Sequence, residues 1–200
     1  GHEKILSAFS KHQADILIGT QMIVKGHDFP DVTLVGILAA DVSLYAPDYR
    51  SAERTFQLLV QASGRAGRAE KPGIAVIQTY MPDHYTIQTA SRQDYGEFFR
   101  QEMRFRRLMH YPPACHMLSI QTAGKEEELL ARIMDSIAMA VQKPFGDQTI
   151  VIGPVPAPVY KVNDIYRKIL YMKQQNYDIL IKIQKYVQMR WDETDSCRRL

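Results

Sequence analysis

Two hundred residues with a formal net charge of +3 and 46% hydrophobic residues allow one large or two small domains, each with a sizeable core. Only two cysteines, Cys115 and Cys197, are present and neither belongs to a C-x-x-C pair, which leaves a disulfide framework or a zinc site without support. No apolar run approaches the ~20 residues of a membrane span and no basic-then-apolar leader precedes the first periodic segment, so the expectation is a cytoplasmic protein with no membrane contact and no metal of its own.

The charge is unevenly spread. Residues 1–100 carry ten Lys/Arg against eleven Asp/Glu, and residues 101–200 fifteen against eleven. The second half is the basic one, a distribution compatible with phosphate-backbone contacts and equally with a solvated surface.

In chain order, Ile5, Leu6 and Phe9 stand at helical spacing, and Asp15 to Gly19 reads as a short buried strand ending in a glycine turn. Val32 to Ala40 is mostly apolar and β-branched at its start, as expected of a strand covered on both faces. It stops at Asp41, read as a turn or helix-orienting residue rather than a metal ligand. A helix is predicted from about Ser51 to Ala69, with Phe56, Leu59, Val60 and Ser63 as its buried stripe. Pro72-Gly73 ends it, and Ile74 to Thr79 is the next strand. Strand, helix and strand in this order predict parallel strands with a crossover helix.

The pattern breaks after Tyr80. Residues 81–113 read as a connector with a charged helix from about Asp94 to Met109, which Tyr111-Pro112-Pro113 terminates because neither proline donates and each restricts the residue before it. Residues 114–200 then read as a second domain. His116 to Thr122 is a strand, and Glu126 to Gln142 an amphipathic helix with Leu130, Ile133, Ile137 and Val141 on one stripe. Thr149 to Ile152 follows as a strand, and an irregular or edge element carries Pro154, Pro156 and Pro158. Arg167 to Met172 is a strand, Gln174 to Lys185 a helix, and Val187, Met189 and Trp191 alternate like a last strand. The order βαββαβ is that of a ferredoxin-like α+β unit.

The run Gln61-Ala62-Ser63-Gly64-Arg65-Ala66-Gly67-Arg68 carries the most chemistry. On a helix, residues 61, 65 and 68 share one face, so an amide and two guanidiniums project together. Gly64 and Gly67 each cost a helix interior about 1 kcal/mol relative to Ala, and two such costs within a turn imply a close approach to the backbone. Arg65 and Arg68 have the planar fork that meets two phosphate oxygens together and can neutralise charge on a transferred phosphoryl group. Thr20, Gln21, Lys25, Gly26 and Asp28 fall in the loop after the 15–19 strand, the end of an open α/β sheet where ligands bind. In the second domain Lys161, Arg167 and Lys168 lead a set of cations interleaved with Tyr160, Tyr166 and Tyr171, a combination suited to nucleic-acid phosphates and bases. No G-x-x-x-x-G-K-[ST] loop occurs in the chain, so nothing here can cradle the phosphates of a bound nucleotide by itself.

The elements GTQMIVKGHDFPDVTLVGIL and DVSLYAPDYRSAERTFQLLVQASGRAGR resemble motifs V and VI of superfamily two helicases. Together with GIAVIQTYMPDH, RRLMHYPP and GPVPAPVYKVNDIYRKILYMK they are similar to the primosomal protein N′ (PriA) family of replication-restart helicases, over most of residues 3–185. The resemblance implies residues 1–80 as part of a RecA-like second motor lobe with a parallel sheet, followed by the α+β domain. It implies Arg65 and Arg68 as catalytic arginines, Gln61 and Gly64 on the nucleotide, and Gly26 and Asp28 coupling that site to DNA, with Thr20, Gln21 and Lys25 at the DNA backbone. ATP, Mg2+ and zinc belong on this view to the full-length parent and none to this chain. DNA forks and single strands, other primosome proteins and single-stranded-DNA-binding protein are the implied partners. The absent initiator methionine and absent zinc insertion fit a C-terminal portion that is inactive alone as an ATPase. The alternatives are a non-catalytic DNA-binding or replication-protein docking module, and a related motor acting on RNA or protein complexes.

Overall fold

The computed structural model describes residues 1–20, 29–67 and 72–198. The chain divides into two compact units, Gly1–Glu102 and Met103–Leu200.

The first unit opens with helix α1 (His2–Ser10), whose Leu6 is buried and whose Phe9 meets Phe29 edge-on, 5.0 Å between ring centres. Strand β1 (Leu34–Ile37) leads through a short 3-10 turn (Ala40–Tyr45) into helix α2 (Ser51–Ser63), and strand β2 (Ile74–Ile77) returns beside β1. The two strands are parallel, with Leu34 opposite Ile74 and Ile37 opposite Ile77, as strand–helix–strand order requires. Helices α3 (Tyr85–Ser91) and α4 (Tyr95–Leu108) follow. Phe56 and Leu59 of α2 form a core with Ala40, Ile87, Ala90 and Phe98, while Ile37 and Ile77 pack against it from the sheet.

Three expectations for this unit are corrected. The 15–19 segment is not a strand: Ile16 and Ile18 are 76% and 89% exposed, and no ladder partner lies beside them among the described residues. A β-branched run becomes a strand only where another strand takes its backbone hydrogen bonds. The β1 strand is covered on one face only. Val35 and Ile37 are half-buried, whereas Leu34 on the opposite face is 63% exposed and its neighbours Ile74 and Val76 are bare with it. Finally, the expected connector is divided, since Ile87, Ala90 and Phe98 belong to the core of the first unit.

The second unit contains strand β3 (His116–Gly124), helix α5 (Glu127–Phe145), strands β4 (Ile150–Val162) and β5 (Ile165–Gln174), and helix α6 (Tyr177–Arg198). The sheet order is β3-β5-β4 and both pairings are antiparallel, so β5 fills the gap left by the β3–α5–β4 crossover. Leu170 and Met172 of β5 point to the helices, where Met134 and Val141 of α5 and Leu180 and Ile183 of α6 complete a buried cluster. The prolines keep β4 at an edge, with register shifts between Ile152 and Val155 and between Pro156 and Lys161, as expected of residues that cannot donate to a ladder.

Of the expected βαββαβ order, five elements form and the sixth does not. Val187 and Trp191 lie within α6. Val187 and Trp191 are four apart and so also share a helical face, with exposed Met189 off it, and Val187 extends the stripe of Ile179, Leu180 and Ile183 already packed on the sheet.

Candidate functional site

Helix α2 ends at Ser63 rather than near Ala69. Gly64 is its cap, its amide donating to Val60 O at 3.0 Å. Arg65 and Ala66 amides continue into a tightened turn by donating to Ala62 O and Ser63 O, a common way for a helix end to satisfy its last carbonyls. Gly67 then takes a φ of 71°, and its amide donates to Val32 O at 3.0 Å. The left-handed region favours glycine, so the chain turns off the helix axis there. Of the row expected on one helical face, Gln61 is therefore on α2 and Arg65 beyond its end, and Arg68 lies outside the described residues. Gln61 is exposed on the last turn of α2, and Arg65 is half-buried in the turn that follows.

The close approach expected at the two glycines is seen at Gly67, where it comes from the chain itself, while Gly64 meets only Val60 O and Gln61 O of its own helix. The backbone of Gly73 lies against Ala66 and Gly67 so tightly that a Cβ on Gly73 would overlap their backbone atoms. Ile74 N donates to Thr33 O at 2.8 Å beside it. The Gly64–Gly67 turn is thus stitched between the residues preceding β1 and those preceding β2, at the amino ends of the parallel strands. Gly73 thus fixes the turn, and the signal for it in the sequence is the Pro72-Gly73 pair directly before β2.

The carboxyl ends of the two strands are closed by a different set. Asp41 is buried, and its Oδ1 accepts from Thr79 Oγ1 at 2.7 Å and from the Tyr80 amide at 2.9 Å. These bonds, the Thr79 hydroxyl first, hold its carboxyl below the usual aspartate value, and burial opposes them only partly. Gln78 Oε1 accepts from Ala39 N at 2.6 Å, which lets Ala39 hold a φ of 48°. Asp41 therefore stands in the 3-10 turn, the first of the two places expected for it, and ties the exit of β1 to the exit of β2.

Of the remaining candidates in this unit, Thr20 is exposed. Gln21, Lys25, Gly26, Asp28 and Arg68 lie outside the described residues. Because no strand forms over 15–19, the argument that placed Thr20 to Asp28 at a strand's carboxyl end does not hold.

In the second unit the three expected DNA-facing cations are separated. Lys161 Nζ is 2.9 Å from Asp164 Oδ1, 3.2 Å from the Tyr166 hydroxyl and above the Tyr166 ring. Those contacts, Asp164 foremost, raise its pKa. Beside it, Tyr160 is bonded to Glu127, which pushes its hydroxyl up to about 12. Arg167 and Lys168 are neighbours on β5 and so project to opposite faces of the sheet. Arg167 shares its face with Ile169, Tyr171 and Lys173, away from the helices. Lys173 is buried at the end of that face, with its Nζ bonded to Met109 O at 2.8 Å and 3.7 Å from the centre of the Tyr111 ring. Desolvation lowers its pKa, with the nearby Cys115 pulling the other way.

Residues 1–70 match the family model of the helicase conserved C-terminal domain, which gives the class of the first unit. Residues 107–196 match the primosomal protein N C-terminal domain. Among curated proteins, the chain is 47% identical over 184 residues to the replication restart protein PriA of Bacillus subtilis, covering 90% of this chain and 23% of that protein. It is 39% identical over 176 residues to the protein of the same name from Synechocystis, covering 88% and 21%. For Haemophilus influenzae the identity is 34% over 197 residues, covering 98% and 27%. This chain belongs to the replication restart protein PriA family. It spans about a quarter of the length of the relatives it matches. No helix among the described residues is long and apolar enough to cross a membrane.

Proposed function

We propose that this chain is the C-terminal portion of an ATP-dependent DNA helicase that acts at stalled or branched replication forks and supports primosome assembly, with residues 1–80 forming part of its RecA-like second motor lobe. The observation that carries the reading is the glycine-arginine turn after α2, seated against the amino ends of two parallel strands, within a stretch matched by the helicase domain model. A turn pinned at Val32 and Gly73 is a rigid mount for charged side chains, and rigidity is what electrostatic stabilisation of a transition state needs.

In the parent, Arg65 and Arg68 offer guanidiniums to the phosphates of ATP from this lobe, and Gln61 and Gly64 line the same wall. The donor set fits a polyphosphate, being two cations, an amide and turn backbone with no carboxylate in 61–68. ATP with Mg2+, when bound, supplies the phosphoryl group and its charge neutralisation; the P-loop for it is not in this chain. Gly26 and Asp28 couple this wall to DNA, and Thr20, Gln21 and Lys25 contact its backbone. Zinc belongs to the parent as well. Other primosome proteins and single-stranded-DNA-binding protein are the proposed protein partners, and the cytoplasm the proposed compartment.

Replacing Arg68 by Ala in the full-length protein tests the assignment. DNA-stimulated ATP hydrolysis should fall by roughly a thousandfold, the scale of arginine fingers, with the fold preserved. Normal turnover would reject it. The chain alone should hydrolyse no ATP and act only as a DNA-binding or docking module, a second reading favoured by the missing P-loop; salt-dependent DNA binding without hydrolysis is its signature.

A further inference from the structure

We infer that the outer edge of β3 is a self-association surface, on which a second copy of this chain adds its own β3 antiparallel and joins the two sheets into one. The inference goes beyond the proposed motor function and does not rest on it.

In the order β3-β5-β4 the central strand is paired on both sides and each outer strand on one. The two outer edges are built differently. β4 carries Pro154, Pro156 and Pro158 and two register shifts, devices that keep an exposed edge from recruiting another strand. β3 has none of them. It runs nine residues in unbroken register with β5, against about five or six for an ordinary strand. It contains no proline, no lysine or arginine and no acidic residue. In an antiparallel ladder alternate residues turn their N–H and C=O away from the partner, and among the described residues no other backbone group takes up those of β3. No residue of β3 is buried, not even Leu118 and Ile120, which pack toward the helices. By contrast β5, flanked on both sides, is buried at five of its ten positions.

What covers such an edge is itself a strand, since only extended backbone offers donors and acceptors at the spacing of a ladder. The side chains of β3 fit their own copy. With Ile120 set opposite the second copy's Ile120, the large His116 and Met117 meet the second copy's Gly124 and Ala123, Leu118 meets its Thr122, and Ser119 meets its Gln121. Large faces small at both ends. No like charges come opposite each other, and such pairs are what most opposes self-pairing of a strand. In this register every even-numbered residue meets an even-numbered one, so Leu118, Ile120 and Thr122 stay on the helix side in both copies. Both helix layers then lie on one side of the joined sheet. Because β4 is closed to further strands, the pairing uses the sheet's open edge and ends at two copies, as an isologous contact does.

The experiment is sedimentation equilibrium of the 200-residue chain over a range of concentrations. The mass should rise from that of one chain to that of two and no further. Ser119 and Gln121 are exposed, so charges can be placed there without entering the core. Ser119→Lys with Gln121→Lys puts lysine opposite lysine twice across the junction and should weaken the dimer about tenfold. Ser119→Lys with Gln121→Glu puts each lysine opposite a glutamate and should restore it, which no general effect of altering β3 would do. Circular dichroism checks that both variants are folded. Hydrogen exchange should show alternate β3 amides gaining protection as concentration rises, with those of β4 unchanged. The mass of one chain at every concentration, a dimer indifferent to the two lysines, a loss that the lysine and glutamate pair does not reverse, or growth past two copies overturns the inference. Protection of the same amides with the mass still that of one chain overturns it too, because something other than a second copy then covers the edge. The hydrolysis test at Arg68 is independent of all these results.

Discussion

The backbone of Gly73 rests directly on that of Gly67, and the contact joins the turn after α2 to the start of β2. Replacing Gly73 by Ala puts a methyl where those backbone atoms sit. Overpacking of this kind costs roughly 1–3 kcal/mol, and more where backbone must move. Gly73→Ala should therefore lower hydrogen-exchange protection of the α2 amides. Gly36 on β1 has open space around it, so Gly36→Ala should leave protection within about 1 kcal/mol of the unaltered chain or raise it, by restricting the unfolded chain. Equal protection in the Gly73 and Gly36 variants would contradict this account of the turn.

Asp41 gives a pH-dependent counterpart at the other end of the strands. Its folded pKa lies below the ordinary 3.8 because Thr79 and Tyr80 donate to the carboxylate. A group depressed in this way adds stability that is present above the ordinary aspartate value and disappears as pH falls through the folded one. Asp41→Asn should unfold at a lower temperature than the parent at pH 7, and the gap should narrow between pH 4 and pH 2. Thr79→Val should show the same narrowing, because it removes the foremost donor.

The parallel β1–α2–β2 unit was legible because a β-branched run, an amphipathic helix and Pro72-Gly73 all agree locally on one topology. The antiparallel second unit was legible for the same reason up to α6. What escaped notice were features that depend on neighbours. Ile16 and Ile18 have strand chemistry and no strand beside them. Val187 and Trp191, four apart, suit a strand or a helix equally, and the packing of Val187 and Ile183 beside Leu170 decides for the helix. In the candidate site, residue types were readable and their grouping was not. The end of α2 at Ser63 separates Arg65 from Gln61, and the pleat sends Arg167 and Lys168 to opposite faces, so adjacency in sequence overstated the shared surface.

His84 caps α3, its Nδ1 accepting from the Thr86 amide at 3.2 Å while the ring stacks on Tyr85. Partial burial lowers its pKa below 6.5, and Glu102 offsets part of that. Protonation would put a donor where an acceptor is needed. The stability it adds is thus present above pH 6.5 and is lost as pH falls through the folded value. Protection of the α3 amides should drop between pH 7 and pH 5 in the unaltered chain. His84→Asn, which keeps an acceptor, should be flat over that range, and His84→Ala should cost about 1 kcal/mol at pH 7.

Phe98 tests where the first unit ends. It is buried and stacks on Phe56 with ring centres 4.3 Å apart, although residues 81–113 read in sequence as a connector. A linker aromatic would be dispensable, whereas a core aromatic carries the transfer energy of its ring and the cost of the cavity it leaves. Phe98→Ala should destabilise the first unit by about 3–5 kcal/mol, seen as faster exchange in α2 and α3. Phe99, the next residue on α4, is 50% exposed, and Phe99→Ala should change exchange by less than about 0.5 kcal/mol. If the two substitutions had equal effects, residues 81–102 would not belong to the first core, and the segment from Tyr85 through Phe98 would have to be read again as a connector.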